Sequence, residues 1–348
     1  MTALISERPV TDRLRRPLHD LRISVTDRCN FRCPYCMPAE IFNERYKFLP
    51  KPELLTFEEI RRLAGLFLEL GVEKIRITGG EPLLRHGLPQ LIEELSRLDG
   101  LRDLTLTTNG YLLAKQAHEL AGAGLRRITV SLDSHDEEVF RRMSGRPFGP
   151  ERVFEGIDAA AQAGLSPIKI NCVVQRGVND HLIVDLARHF RGSGHILRFI
   201  EFMDVGTLNG WKLDEVVTAS EIIDRIGSEF PLEVQDANYP GEVASRYRYS
   251  DGSGEIGVIS SVSQPFCGDC SRARLTIEGQ LVTCLFASGG RDLRGPLRAG
   301  ATDAEMRELI GSVWRARSDR YSEERAQLSD APQDAGESRR IEMYQIGG

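Results

Sequence analysis

Short runs of alternating apolar and polar residues punctuate the first two thirds of the chain, separated by longer segments whose apolar positions recur at helical spacing. The alternating runs predict strands over Leu21–Val25, Lys74–Thr78, Asp103–Thr107, Arg127–Leu132, Pro167–Val174 and His195–Met203. The helical period predicts a first helix from Thr56, where Glu59 three residues later completes a capping box, to about Leu70 before Gly71. Further helices are expected over Leu88–Leu98, Ala114–Ala121, Pro150–Ala163 and Asp180–Phe190. Six such units in series imply parallel strands joined by right-handed crossovers. A closed barrel of this kind needs eight.

The strands carry an unusual polar face. Parallel strands covered on both sides ordinarily read as continuous apolar runs. Here Lys74, Arg76 and Thr78 oppose Ile75 and Ile77; Thr105 and Thr107 oppose Leu104 and Leu106; Thr129, Ser131 and Asp133 oppose Ile128, Val130 and Leu132; Lys169 and Asn171 oppose Ile168, Ile170 and Cys172. Side chains alternate faces along a strand, so the aliphatic set is expected against outer helices and the polar set in a wet lumen that holds a charged ligand. Arg22, Lys74, Arg76, Lys169 and Arg198 are the cations that could converge there. Arg198 is the weaker candidate, because its parity with Ile196 and Ile200 points it outward. Antiparallel strands with a solvated face would give the same pattern.

After Met203 the rhythm ends. Short strands are expected at Arg246–Tyr249 and Ile256–Ser260, a late helix at Thr302–Ala316 and a mobile linker at Ser329–Ser338. The expected division is a polar arm over 1–20, a barrel over 21–205, a C-terminal region over 206–328 forming a lid on the barrel's open side, and a linker and tail over 329–348. Apolar and charged contents of 41% and 28% are those of an ordinary globular protein. The net charge of −6 argues against nucleic acid or an anionic membrane as partner, so any anion site must be a local cluster of cations. Arg8, Asp12, Arg13, Arg15 and Arg16 interrupt the N-terminus, which is not a signal peptide. With no long apolar run and seven cysteines suited to metal or redox chemistry, the expected location is cytoplasmic.

The cysteines carry the chemistry. Cys29, Cys33 and Cys36 stand at C-x3-C-x2-C with no fourth cysteine nearby. A four-iron cluster takes one ligand per iron, so three thiolates leave one iron open for a substrate; structural zinc sites usually close with four ligands. Zinc or free thiols remain the alternatives. Cys267, Cys270 and Cys284 form a second triplet. Thr78-Gly79-Gly80-Glu81-Pro82 follows the second strand at the end where barrel enzymes keep their active sites. Arg272 and Arg274, on one face of an extended segment, suit phosphate oxygens; surface ion pairing is the bland reading. Cys172 reads as a buried structural thiol.

C-x3-C-x2-C with an aromatic residue, here Tyr35, before the last cysteine resembles the signature of the radical S-adenosylmethionine superfamily. With the second triplet, Arg272-Ala273-Arg274 and the final Gly347-Gly348, the chain is similar from about Arg13 onward to the GTP 3′,8-cyclase family of molybdenum-cofactor biosynthesis. The resemblance implies an α/β fold, an open three-quarter (β/α)6 TIM-like barrel with a C-terminal α+β extension covering the open side. It implies two 4Fe–4S clusters, one on Cys29, Cys33 and Cys36 that cleaves S-adenosylmethionine and one on Cys267, Cys270 and Cys284 whose open iron takes the guanine edge. Tyr35, Gly79, Gly80, Glu81, Ser131 and Met203 would contact S-adenosylmethionine, although Met203 by sequence alone is an ordinary core methionine. GTP contacts fall to Arg22, Arg76, Thr107, Lys169, Arg272, Ala273 and Arg274, and the double-glycine tail reaches the active site. Implied partners are an external one-electron reductant and cyclic pyranopterin monophosphate synthase, with the chain a monomer or homodimer. A peptide-modifying enzyme with an auxiliary cluster, or a metal-stabilised binding protein without turnover, are the rivals.

Overall fold

The structure is a computed structural model that describes residues 9–328 and 340–347. The first eight residues of the expected arm, the expected linker at Ser329–Ser338 and Gly348 lie outside the described residues. Six strands follow one another from the N-terminus: β1 (Asp20–Ser24), β2 (Lys74–Thr78), β3 (Asp103–Thr108), β4 (Arg127–Ser131), β5 (Ile168–Val174) and β6 (Ile196–Glu201). Each pairs in parallel with the next. The crossovers carry α1 (Phe57–Glu69), α2 (Leu88–Ser96), α3 (Ala117–Gly122), α4 (Glu137–Ser144), α5 (Glu151–Gln162) and α6 (Ile183–Phe190).

Thr56 caps α1 as the sequence predicts: its side chain accepts from Glu59 N while the Glu59 carboxylate accepts from Thr56 N, so two end groups of the helix are satisfied together. The aliphatic strand face is buried. Leu21, Ile23, Ile75, Ile77, Leu106, Val130 and Ile170 form one core with Ile60, Leu63, Leu91, Leu95, Leu120, Ile157 and Leu186 of the helices. Each such side chain contributes about 1.5–3 kcal/mol relative to exposure. Cys172 belongs to this core, as expected.

The C-terminal half extends the same sheet. After α7 (Ala219–Gly227) come β7 (Leu232–Gln235), β8 (Ser245–Tyr249) and β9 (Glu255–Ile259); β10 (Arg272–Leu275), β11 (Gln280–Val282) and β12 (Arg291–Asp292) follow, then α8 (Arg294–Arg298), α9 (Asp303–Ala316), α10 (Tyr321–Leu328) and α11 (Met343–Ile346). The spatial order is β12-β11-β10-β1-β2-β3-β4-β5-β6-β9-β8-β7. β9 lies parallel beside β6, and β10 lies parallel beside β1. One extra parallel strand is thus added at each free edge of the six, and residues 260–271, which join β9 to β10, run from one edge to the other. The extension covers the open side in this way, and it brings Cys267 and Cys270 across it.

Candidate active site

One cavity is lined by both cysteine triplets and by every expected cofactor or GTP contact except Ala273. Cys29, Cys33 and Cys36 follow the C-terminal end of β1. Arg32 fixes their loop, donating from Nη1 to the carbonyls of Cys29 and Phe31 (both 2.7 Å) and from Nε to that of Phe42 (2.7 Å). The end of α4 supports it from below, where Arg32 N donates to Ser144 O (2.8 Å). Gly145 there has φ 62°, and a Cβ would overlap the Arg32 carbonyl. Gly79 and Gly80 seat the loop from the other side. Gly80 N donates to Thr26 O (2.7 Å) and Glu81 N to Arg28 O (2.8 Å). A Cβ on either glycine would meet those carbonyls, so their clearance is used by the chain leading to Cys29.

Glu81 is buried, and burial pushes its carboxyl up to about 7 against three donors that favour its charge. These are Asn109 N (2.7 Å), Thr108 Oγ1 (2.7 Å) and Leu83 N (3.0 Å). Its carboxylate therefore ties the loops after β2 and β3 together. Tyr35 donates its hydroxyl to Asp133 (2.7 Å), which also accepts from Val173 N (2.9 Å). Burial raises Asp133 to about 6. Ser131 and Met203 line the same cavity. Burial, then Glu81, pushes the Cys29 thiol up to about 12, and burial raises Cys33 and Cys36 as well.

The lumen carries an uncompensated row of positive charge. The register sets Arg274, Arg22 and Arg76 side by side on three adjacent parallel strands. The row toward the strands' N-terminal ends is different: Arg272, Asp20, Lys74 and Asp103 alternate in sign, and Lys74 pairs with Asp103 at 3.3 Å. Arg76 donates from Nη1 to Thr107 (2.9 Å) and Thr129 (3.0 Å), neutral acceptors. Burial, then Arg274 and Arg76, holds Arg22 well below its ordinary range. Burial, then Arg198, lowers Lys169 to about 7. Buried cations in this excess call for an anion.

Two expectations are corrected here. Arg198 faces the lumen, is 7% exposed and donates to Asn171 (3.0 Å). Its parity with Ile200 was read correctly, but Ile200 itself lines the cavity while Leu197 and Phe199 take the core. Ala273 is fully buried in the hydrophobic core and is not among the residues that line the cavity.

Residues 260–271 carry the second triplet's pair. Glu201, fully buried at the end of β6, anchors this segment by accepting from Val262 N (2.7 Å), Ser263 N (2.8 Å) and the Ser263 hydroxyl. Arg272 donates to Cys270 Sγ (3.3 Å) and Arg317 donates to the same sulfur (3.2 Å). Burial opposes the Cys270 thiolate, but these two guanidiniums outweigh it and hold the thiol at about 6. Burial raises Cys284 to about 11. The tail enters between the triplets, where Arg274 donates to Ile346 O (3.1 Å) and Gly347 O (2.5 Å). Arg16, Asn109, Glu201 and Arg317 escaped the sequence reading, because each acts on a partner remote in the chain, whereas Asp133 stands on the lumen face its parity predicts.

All seven cysteines are free thiols. Soft thiolates select iron–sulfur clusters, zinc or copper(I). Among the described residues no three His, Cys, Asp or Glu side chains converge on a single-ion site. A four-iron cluster instead takes one protein thiolate per iron, and each triplet brings three free thiols to this cavity.

Comparison with known proteins agrees with the geometry. Residues 23–190 match the Radical SAM superfamily and residues 195–323 match the family described as Molybdenum Cofactor Synthesis C. Streptococcus suis SuiB bound to S-adenosylmethionine shares the fold, with a TM-score of 0.56 at 16% identity over 86% of this chain and 65% of that one. The class is thus a radical S-adenosylmethionine protein on a partial barrel. Proteins named GTP 3′,8-cyclase from Acidothermus cellulolyticus, Xanthomonas axonopodis pv. citri and Staphylococcus aureus (strain Mu3) are 53%, 52% and 47% identical, covering 97–98% of this chain and 99% of their own lengths. The chain belongs to the GTP 3′,8-cyclase family.

Proposed function

We propose that this chain converts GTP to 3′,8-cyclo-7,8-dihydro-GTP, the first step of molybdenum-cofactor biosynthesis. The observation that carries the reading is the row Arg274, Arg22 and Arg76, three like charges set side by side in a cavity bounded by two cysteine triplets. 4Fe–4S clusters and S-adenosylmethionine, when bound, would supply the radical chemistry that activates the C3′ position of the ribose. Cys29, Cys33 and Cys36 would hold the first cluster, and Tyr35, Gly79, Gly80, Glu81, Ser131 and Met203, which line the same cavity, would contact S-adenosylmethionine. Glu81 serves there by fixing the loops, and Tyr35 by its bond to Asp133. Arg22, Arg76, Lys169 and Arg274 offset the triphosphate, with Thr107 orienting Arg76. Arg198, now on the lumen side, joins them. Cys267, Cys270 and Cys284 would hold the second cluster, and Arg272 donates to the Cys270 sulfur.

Residues 21–205 act as the barrel and 206–328 as the cluster-bearing extension. An external one-electron reductant feeds the site, and the product passes to cyclic pyranopterin monophosphate synthase. Among the described residues no helix is long and apolar enough to cross a membrane, in keeping with a cytoplasmic enzyme acting as monomer or homodimer. Calorimetric titration of the reconstituted protein tests the anion site: GTP should bind far more tightly than guanosine, and equal affinities would remove the triphosphate from the arginine row.

A further inference from the structure

Arg317 caps the C-terminal end of α9, far in sequence from the cysteines it touches. Its side chain is 1% exposed. Nε donates to the Asp319 carboxylate (3.1 and 3.2 Å), Nη1 to Cys270 O (2.6 Å) and Nη2 to Cys270 Sγ (3.2 Å). The guanidinium also lies over the Trp314 ring, 4.5 Å from its centre, and Asp12 stands 3.6 Å from Nη1. Every face of this group is therefore committed, and its one sulfur acceptor is a ligand candidate.

Two guanidiniums, of Arg272 and Arg317, donate to that sulfur directly, while the carboxylates nearby, of Asp12, Asp20 and Asp319, face the guanidiniums. Arg16 reaches the same segment through Cys267 O (2.8 Å). The first triplet is built differently. Cys29 Sγ accepts from neutral donors, Phe31 N (3.3 Å) and the Asn109 amide (3.8 Å), and among the described residues no guanidinium donates to Cys29, Cys33 or Cys36 sulfur.

We propose that Arg317 is a positioning residue of the second cluster, which fixes Cys270 and raises that cluster's reduction potential above that of the first. The inference rests on the reading of Cys267, Cys270 and Cys284 as cluster ligands. A hydrogen bond to a ligand sulfur and a nearby positive charge both favour the more electron-rich, reduced state. Arg272 supplies one such bond and Arg317 the other, so loss of Arg317 removes one of the two donors and keeps all three thiols.

The test is an anaerobic redox titration followed by electron paramagnetic resonance on reconstituted full-length protein, with iron and sulfide counted first. Arg317→Gln should move the second cluster's midpoint to more negative potential, Arg317→Lys should move it less, and the first cluster's midpoint should stay. An unchanged second midpoint with iron retained overturns the proposal, as does an equal shift of both clusters. Should both variants lose iron from the second site, wild-type protein grown on 15N-arginine decides: two distinct guanidinium couplings on the reduced second cluster support the proposal, and one or none overturns it. A wild-type protein with only one cluster would instead overturn the ligand reading, and the iron count shows that before any titration.

Discussion

Arg22 sits between Arg274 and Arg76 in the cavity wall, and among the described residues its guanidinium has neither a hydrogen bond nor an ion pair. Its charge is unfavourable in the empty protein and useful only toward an anion. Arg22→Met should therefore stabilise the ligand-free fold by about 1 kcal/mol or more, on the scale seen when buried charges become apolar. The same change should weaken GTP binding by about 1.5–3 kcal/mol, the worth of a charged hydrogen bond. Thermal unfolding and GTP titration of one preparation check both signs. Lys169 supplies a pH signature. Its ordinary value is 10.5, and the folded protein lowers it to about 7. Between those two pH values the unfolded chain holds the proton that the folded chain has lost, so the stability contribution of this group rises with pH across that window. A bound triphosphate restores the charge. Near pH 8.5, about one and a half units above the lowered value, GTP binding should take up close to one proton. Titrations in buffers of different ionisation enthalpy measure it, and Lys169→Met should abolish the uptake. Side-chain parity alone made the polar lumen legible at this scale. It failed at Arg198, because Ile200 of the same strand faces the cavity. Alternation tells which residues share a face but not which face is inside.

At the scale of elements, the six strands and the capped first helix were readable because their periods are strong and their ends are marked. α4 was missed. Its Asp136 cap accepts from Val139 N (2.9 Å), but its turn-rich approach, Asp133-Ser134-His135, reads as loop. That omission hid the support under the cysteine loop. The Gly-Gly-Glu segment was read as a ligand contact, whereas much of its constraint is internal to the protein. Gly80→Ala should force the Thr26–Arg28 segment away, at about 1–3 kcal/mol for overpacking. Iron analysis should then show the first cluster depleted and the second retained. Full occupancy of both would mean the loop can yield without cost.

The whole molecule places its two cysteine triplets on one cavity because the chain's C-terminal half returns to both free edges of the parallel sheet. Nothing local announces that closure: β9 and β10 are short, and their partners lie far back in the chain. The tail is a further long-range part. Gly347 has φ 65°, and a Cβ there would overlap the Thr78 side chain. Deleting Gly347 and Gly348 should leave both clusters' iron and cofactor cleavage intact while cyclised product falls sharply; undiminished product would make the tail dispensable. On the proposed function, hydrogen is taken from C3′ of GTP bound in this cavity. The most direct test is GTP deuterated at C3′, incubated anaerobically with reconstituted protein, S-adenosylmethionine and reductant. Deuterium should appear in 5′-deoxyadenosine, with 3′,8-cyclised nucleotide formed in matching amount. Unlabelled 5′-deoxyadenosine with GTP left unchanged would contradict the proposed function.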